Sequence, residues 1–255
     1  MNSRHLSETE IEQYFEQGYL LLPDLIALEA LARYDKRFVA FATGECEPAS
    51  QMNIMRDIMV VKGAIEPETP LHAVNKMFSF ENDPLLYGYA LEPKLLGTVR
   101  SLLGDDIYSL ATNVFNKPPG IDGRHPLHQD LRYFRVRPAD KIVGVWTAML
   151  PATRETGCLA VIPGSHKGEL LEHAEPDWEY VNRAFFGIEN IDLDRRVHIE
   201  MEPGDTLLLH PLLVHGSGRN RSQSFRRAIS VHYAAGDCES PVREWRQGKQ
   251  IRHID

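Results

Sequence analysis

The feature that most limits the fold is a series of short apolar runs after Asp106, each separated from the next by Gly, Pro, Ser or Asn. The runs are rich in β-branched and aromatic residues, and their spacing is typical of a sandwich or barrel and not of alternating βαβ units. We predict strands over residues 141–150, 159–162, 207–214 and 225–233. The chain should therefore be mainly β, with helices packed on a β core.

The region before Asp106 has helical periodicity instead. Ser7 and Glu10 have the spacing of a capping box and Gly18 offers a left-handed stop, so we predict a helix over residues 8–17 and then a short buried strand over 19–22. No linker or repeat divides the chain. We expect a single domain over 1–255, made of a mainly helical support (1–105), a jelly-roll core (106–238) and a C-terminal tail (239–255).

Composition excludes several classes of protein. The 28 Lys and Arg against 36 Asp and Glu give a net charge of −8, which argues against a general nucleic-acid binder, because such a protein needs a basic face. Charged residues interrupt every apolar stretch before the roughly 18 residues of a membrane span. Three scattered cysteines fit no disulfide framework, and we recognise no export signal or peroxisomal Ser-Lys-Leu address. We expect a cytoplasmic protein whose partner is a small molecule.

A candidate metal site begins at His128 and Asp130. On a strand, residues two apart project to the same face, so these two side chains converge while Gln129 points away. His210 and His215 are five apart and would face opposite sides of an unbroken strand, and His215 is the better third ligand because a glycine-rich turn follows it. Two histidines and a carboxylate on one face of iron are the pattern of non-haem Fe(II) oxygenases. Structural, hydrogen-bonded histidines remain an open interpretation.

Arg226 is the second informative residue. It shares one face of its predicted strand with Ala228 and Ser230, and the loop after His215 should let the strands of His215 and Arg226 pair as a hairpin. A buried guanidinium needs a carboxylate, which it binds bidentately. The partner is either a protein carboxylate or the distal carboxylate of an iron-bound 2-oxo acid, with Ser217 donating a further hydrogen bond. The remaining alternative is that Arg226 is solvated beside Arg227.

Several blocks of the sequence, spread from about residue 6 to residue 238, together resemble the phytanoyl-CoA dioxygenase family. They are Met55-Arg56-Asp57, Asn116-Lys117-Pro118-Pro119, His125-Pro126-Leu127-His128-Gln129-Asp130-Leu131, Trp146-Thr147-Ala148-Met149, Gly157-Cys158-Leu159, Pro163-Gly164-Ser165-His166-Lys167-Gly168 and His210-Pro211-Leu212-Leu213-Val214-His215-Gly216-Ser217-Gly218. The resemblance implies a double-stranded β-helix, which is a cupin-like jelly-roll barrel with flanking helices. It also implies hydroxylation of an unactivated C–H bond that depends on Fe(II), 2-oxoglutarate and O2 and releases succinate and CO2, with ascorbate as a candidate reductant.

The resemblance also implies roles for individual residues. The iron ligands would be His128, Asp130 and His215. The residues at the cosubstrate would be Arg226, Ser217, Trp146, Gln129, Lys76 and Asn113, of which Asn113 stands where the family pattern has an apolar residue. Because Asp130 is present, hydroxylation is favoured over halogenation, in which the iron carboxylate is missing.

The substrate is expected to meet the basic and aromatic segment that follows the iron motif. This segment contains Arg132, Tyr133, Phe134, Arg135 and Arg137. Its guanidinium groups could bind the phosphates or adenine of a CoA thioester, so the favoured substrate is an acyl-CoA oxidised at its alpha carbon, or a related small carboxylate. Further basic candidates are Arg227, Arg243 and Arg246. The alternative for the basic segment is a solvated loop. The insert between residues 167 and 197, with Trp178 and Phe185, is a candidate lid over the substrate, and the alternative is that its aromatic residues belong to the core.

Two other functions fit the same residues. A non-catalytic jelly-roll protein could keep the fold and the metal for ligand binding. A zinc-dependent hydrolase could use the same two histidines and aspartate, but it needs a nearby catalytic acid or base, and Gln129 cannot serve as one.

Overall fold

The computed structural model describes residues 3–241 and 245–255. Its α-helices are α1 (Glu8–Gln17), α2 (Leu28–Thr43), α3 (Ile58–Val61), α4 (Pro84–Tyr87) and α5 (Pro93–Leu103). Its strands are β1 (Tyr19–Leu22), β2 (Asn53–Arg56), β3 (Val74–Phe78), β4 (Ile107–Lys117), β5 (His125–His128), β6 (Ile142–Ala148), β7 (Leu159–Val161), β8 (Val197–Ile199), β9 (Thr206–Leu209), β10 (His215–Ser217), β11 (Arg226–Ala235) and β12 (Arg252–Ile254).

The strands form two antiparallel sheets. The larger sheet has the order β1-β9-β6-β11-β4-β3-β2, with β12 added beside β4, and the smaller sheet has the order β5-β10-β7-β8. Side chains from both sheets line one large cavity, so the sheets face each other across it. The predicted mainly β jelly roll with flanking helices is therefore confirmed.

The central strands of the larger sheet have two different faces. On β6 and β11, Val145, Ile229 and Val231 are fully buried in the main apolar cluster with helix residues such as Phe38 and Leu95. Burial of each such aliphatic side chain contributes about 1.5–3 kcal/mol. The residues that alternate with these along β6 and β11, such as Trp146 and Ser230, line the cavity. The helices thus hold one face of the sheet rigid while the other face carries the candidate site.

The N-terminal and C-terminal regions add strands to this sheet. The capping box of α1 is confirmed, since Ser7 and Glu10 exchange both hydrogen bonds and Gly18 ends the helix at φ 82°. β1, β2 and β3 all come from the region expected to be mainly helical, and β12 comes from the predicted tail. Both flanking regions therefore extend the sheet besides covering it.

The predicted strand over 207–214 is wrong as a single element. β9 ends at Leu209, a turn closed by a hydrogen bond from the Leu213 N–H to the His210 carbonyl follows, and β10 begins at His215 in the other sheet. Pro211 lacks an N–H and cannot continue a ladder. The predicted hairpin of the His215 and Arg226 strands is also wrong, because β10 pairs with β5 and β7 whereas β11 pairs with β4 and β6.

None of the helices in the described ranges is both long enough and apolar enough to cross a membrane.

Candidate metal centre and cosubstrate pocket

The cavity between the sheets has a volume of about 1120 Å³. One end, which we call the inner end, is lined by Arg226, Ser217, Trp146 and Ser230, and the predicted metal ligands lie further along the same cavity. The opposite end, which we call the mouth, is lined by residues of β2, of the segment after the metal ligands and of the insert over residues 168–196. A single cavity therefore connects the two sets of residues that the sequence singles out.

His128, Asp130 and His215 converge on one point of this cavity. His128 and His215 are directly opposite each other in the register of β5 and β10. Asp130 does not continue the strand, as the sequence argument assumed, but begins a 3-10 turn. One ligand atom from each residue lies within 4.8 Å of those from the other two. The convergence thus comes from strand pairing and a turn, and not from alternation along one strand.

Backbone carbonyls fix the two imidazole rings. The Nδ1 atoms of His128 and His215 lie 2.9 Å and 3.0 Å from the carbonyl oxygens of Pro126 and Leu213, so in each neutral ring Nδ1 is the donor. The Nε2 atoms then carry lone pairs that face Asp130, at 3.3 Å and 3.8 Å from its carboxylate oxygens. Nε2 ligation with the other nitrogen bonded to a carbonyl is the usual arrangement at metal sites, so this donor set fits Fe(II).

His232 is a further residue of the centre that the sequence analysis missed. It projects from β11, and its Nε2 lies 2.9 Å from Oδ2 of Asp130. Gly144 stands opposite it on β6, where a Cβ atom would lie 3.0 Å from the His232 ring nitrogen. The alternation of Arg226, Ser230 and His232 along one face of the strand was the signal that could have identified it.

The pKa values of Asp130 and His215 are shifted in the directions that favour binding of a metal cation. Burial would raise the pKa of Asp130, but the neighbouring His215 and His232, with a hydrogen bond from His232, hold that pKa well below its usual range. Burial lowers the pKa of His215 to about 4. Near neutral pH the centre therefore offers the charged carboxylate of Asp130 and the neutral imidazole of His215, which are the forms that bind a metal.

Arg226 lies fully inside the barrel at the inner end. Its Nη2 lies 3.4 Å from Oγ of Ser217, and its guanidinium carbon lies 5.4 Å from the centre of the Trp146 ring. Nε has no hydrogen-bond partner, and no carboxylate forms a salt bridge with this residue in the described parts of the chain. Desolvation lowers its pKa to about 10. A buried cation with an unsatisfied donor fits the distal carboxylate of 2-oxoglutarate.

Lys117 is a second cationic side chain at the inner end. It is directly opposite Arg226 in the register of β4 and β11, and its Nζ donates to Oγ of Ser217 at 2.8 Å. Burial and the charge of Arg226 hold the pKa of Lys117 well below its usual range. The sequence analysis used this residue only as part of a matching block.

Lys76 and Asn113 also line the cavity. The Lys76 Nζ lies 4.7 Å from the centre of the Phe115 ring, and desolvation lowers its pKa to about 8 although Asp130 opposes this. The Asn113 amide donates to Oγ of Ser230 at 3.4 Å. Both residues are therefore placed where they can contact a cosubstrate.

Gln129 is not brought into the cavity. Its side-chain amide donates to the carbonyl oxygens of Glu169 and Leu212, and its carbonyl accepts from the Leu171 N–H at 2.8 Å. The expected contact of this side chain with the cosubstrate has no support in the geometry, because the chain alternation at His128 turns Gln129 outward. It ties the start of the insert to the segment before β10.

Only part of the predicted substrate segment faces the cavity. Tyr133, Phe134 and Arg135 line it, whereas the Arg132 guanidinium lies 5.0 Å over the ring of Phe186 and the Arg137 guanidinium donates to the Phe134 and Val136 carbonyls. The contacts of Arg132 and Arg137 thus hold both guanidinium groups away from the cavity.

Of the three further basic candidates, Arg227 and Arg246 do not line the cavity. Arg227 binds Asp35 and Asn116, and Arg246 donates to the Gly236 and Cys238 carbonyls. Arg243 lies outside the described residues.

Part of the insert packs over the predicted metal ligands. Phe185 is buried and stacks on His125 with 4.0 Å between ring centres, and His125 stacks in turn on His128 at 4.1 Å. Asn182 fastens the insert, since it donates to the buried carboxylate of Asp57 at 2.9 Å. Trp178 lies outside the main cavity, where it stacks with Arg124.

Two arginines at the mouth were also missed. Arg56, at the end of β2, and Arg183, in the insert, line the cavity with Arg135. All three are exposed, and none forms an ion pair within residues 3–241 and 245–255. They come from three separate segments, so no local sequence pattern indicates their proximity. An acidic protein thus places three unpaired guanidinium groups at the entrance of the cavity that holds the predicted metal ligands.

Comparisons with known proteins agree with this geometry. A family model described as phytanoyl-CoA dioxygenase (PhyH) matches residues 14–228. A probable phytanoyl-CoA dioxygenase of Caenorhabditis elegans is 42% identical over 240 residues, covering 91% of this chain and 76% of the relative. The peroxisomal phytanoyl-CoA dioxygenase of Homo sapiens is 41% identical over 230 residues, covering 88% of this chain and 67% of the relative.

Solved structures share the fold. The non-haem α-ketoglutarate-dependent carbocyclase SnoK from nogalamycin biosynthesis superimposes with a TM-score of 0.71 at 19% identity, covering 100% of both chains. The epimerase SnoN, solved with Fe3+, α-ketoglutarate and a nogalamycin compound, gives a TM-score of 0.69 at 18% identity and covers 93% of this chain and 86% of that one.

Proposed function

The chain belongs to the phytanoyl-CoA dioxygenase family, and from that premise we propose that it hydroxylates the alpha carbon of an acyl-CoA or a closely similar acyl thioester. It is an Fe(II)- and 2-oxoglutarate-dependent non-haem iron dioxygenase. The observation that carries the finer proposal is the single cavity that joins the three converging ligands to the three unpaired arginines at its mouth.

His128, Asp130 and His215 would hold the iron, with His232 orienting the carboxylate of Asp130. Arg226 and Ser217 would bind the distal carboxylate of 2-oxoglutarate beside Trp146. When bound, the iron and 2-oxoglutarate together supply the oxidising power that inserts oxygen from O2 into a C–H bond, with succinate and CO2 as by-products. No protein acid or base is required for this chemistry.

The protein's own contribution is to bind, orient and exclude water. The ring of Phe185 covers the face of the His125–His128 stack, and Asn182 holds the insert in this position through Asp57. This cover limits the access of water to the ligand cluster. A substrate must therefore reach the centre along the cavity from the mouth.

The mouth suits a ligand that has an apolar part and an anionic part. Ile54, Ile58 and Val61 provide apolar lining on the same side as Arg56, and Arg135 and Arg183 complete the basic rim. Guanidinium groups bind phosphate bidentately, so the phosphates of CoA would pair with this rim while the acyl chain enters the cavity. This pairing directs the carbon next to the thioester carbonyl toward the ligand cluster.

The test is succinate release across a panel of straight and branched acyl-CoAs and the matching free acids, with mass spectrometry of the products. We expect turnover that requires both Fe(II) and the CoA moiety, and a hydroxyl group on the alpha carbon. Turnover of the free acids with equal efficiency would contradict the role of the rim. Binding without succinate formation would favour a non-catalytic binding protein, and activity retained with Zn(II) in place of Fe(II) would favour a hydrolase.

A further inference from the structure

Behind the inner end of the cavity, in contact with Ser217, lies a lysine that the roles described so far do not use. Lys117 is the last residue of β4, and only 3% of its surface is exposed. Its Nζ donates to Oγ of Ser217 at 2.8 Å and also to the carbonyl oxygen of Gly218. The side-chain nitrogen of Lys117 therefore contacts Ser217, the last residue of β10, and Gly218, the residue after it.

The neighbourhood of Lys117 holds it in one conformation. Gly157 and Gly123 lie beside its aliphatic stem, where a Cβ atom would come within 3.1 Å and 3.3 Å of stem carbons. Asn220 fixes the backbone by donating to the Lys117 carbonyl at 2.9 Å. A long, flexible side chain that is held this way loses little further entropy when it acts on a ligand.

Lys117 determines what the Ser217 hydroxyl can do. In its charged form, which a bound anion favours, Lys117 has donors and no acceptor, so the serine oxygen then accepts from Lys117 and also from Nη2 of Arg226 at 3.4 Å. Both lone pairs of the serine oxygen are then used. Its own hydrogen remains free to be donated, and Ser217 lines the cavity. The acceptor that this hydrogen requires is an atom of a ligand.

We propose that Lys117 is a positioning residue for the distal carboxylate of 2-oxoglutarate, and that it acts by fixing the Ser217 hydroxyl as a donor. Arg226 binds the same carboxylate directly, and an anion there favours the charged form of Lys117. The proposal rests on the 2-oxoglutarate dependence of the enzyme. It is independent of the identity of the substrate that becomes hydroxylated.

The test is an anaerobic titration of the Fe(II)-loaded full chain, read from the visible charge-transfer absorption that a chelated 2-oxo acid gives with Fe(II). Lys117→Met removes the donors and keeps a side chain of similar length. We expect its Kd for 2-oxoglutarate to rise about tenfold or more. For 2-oxopentanoate, which has the same chelating end and no distal carboxylate, we expect the same Kd in the wild-type protein and in Lys117→Met.

A merely structural role would weaken the binding of both 2-oxo acids equally, and this result would overturn the proposal, as would an unchanged Kd for 2-oxoglutarate. Ser217→Ala should cause a similar loss, and Lys117→Met added to it should cause little more, because Lys117 acts through Ser217. Independent, additive losses would also overturn it. If circular dichroism shows that Lys117→Met does not fold, Lys117→Leu, which also has no donor, is judged by the same criteria.

Lys141→Met is the matched control, because Lys141 is exposed and pairs with Asp237 away from the cavity. It should bind both 2-oxo acids like the wild-type protein. None of these titrations contains an acyl substrate, so a failure to find acyl-CoA turnover leaves their outcome unaffected.

Discussion

The inner end and the mouth of the cavity are built in different ways. At the inner end, Arg226, Trp146 and Ser217 project from paired strands, and their positions follow from the register of the two sheets. At the mouth, Arg135 and Arg183 come from segments outside the named strands. The cosubstrate site is therefore held mainly by the sheets, whereas the proposed substrate rim is built mainly from connecting segments.

The largest expected effect is at the centre between the two ends. Asp130→Asn removes the anionic ligand and leaves the shape of the side chain, so we expect iron binding and turnover to fall by at least about a hundredfold. Iron content after gel filtration and succinate release measure the effect. Asp140→Asn, at an exposed carboxylate that pairs with His210, is the control and should change neither quantity.

Two adjacent arginines test the inner end more sharply. Arg226 and Arg227 are both buried on β11, but Arg227 is paired with Asp35 and Asn116 and packs over Phe38. We expect Arg226→Met to weaken 2-oxoglutarate binding by about tenfold to a hundredfold. Without ligand it should leave the Tm unchanged or higher, because it removes an unpaired buried charge.

Arg227→Met should show the opposite pattern. It should destabilise the fold by about 2 kcal/mol, because it breaks charged hydrogen bonds, and it should leave the Kd for 2-oxoglutarate unchanged. Thermal unfolding and the anaerobic titration measure both quantities for both variants. Equal effects of the two substitutions on the Kd would break the distinction between a ligand-binding arginine and a structural one.

Substitutions at the mouth should be smaller in effect and restricted to the substrate. Each of Arg56→Gln, Arg135→Gln and Arg183→Gln should raise the KM for an acyl-CoA by about threefold, since exposed ion pairs are weak. The effect should shrink at high salt, and kcat and the KM for 2-oxoglutarate should not change. Arg132→Gln, which removes a guanidinium that stacks outside the cavity, should have no such effect. If Arg132→Gln raised the KM for the acyl-CoA by a comparable factor, the substrate would not bind at the proposed rim.

The smallest expected effect is a pH dependence caused by Lys76. Its pKa is about 8, so its positive charge is present below that pH and is lost as the pH rises through it. Attraction for the dianionic cosubstrate should be lost in the same window, and kcat/KM for 2-oxoglutarate should fall a few-fold between pH 7 and pH 9. Lys76→Met should flatten this part of the profile, and a profile that keeps its shape would assign it to another group.

Strand-borne features were largely predictable from the sequence. Alternation and spacing grouped His128, Asp130 and His215 and selected Arg226, although two of the local arguments were wrong. Asp130 lies in a turn, and the His215 and Arg226 strands belong to different sheets. The predicted grouping of residues is still correct, because β10 and β11 face each other across the cavity. This is a long-range contact that local sequence patterns do not predict.

The mouth was less predictable for a physical reason. Arg56 and Arg183 are far apart in sequence, and only the docking of the insert through Asn182 and Asp57 brings them together. Within the predicted substrate segment, Arg135 lines the cavity and Arg132 does not. The segment is not a strand or an α-helix, so no sequence periodicity predicts which of its side chains face the cavity. His232 was predictable from the sequence, because it lies two residues after Ser230 and so shares the strand face of Arg226 and Ser230.

The most direct measurement of the central claim is the anaerobic addition of Fe(II) and 2-oxoglutarate to the wild-type chain and to Arg226→Met. We expect the wild-type protein to develop a visible charge-transfer band that saturates at one 2-oxoglutarate per chain. Arg226→Met should require a much higher concentration to reach the same absorbance. A well-folded wild-type protein without the band, or identical titration curves for the two proteins, would contradict the assignment of the centre and of Arg226.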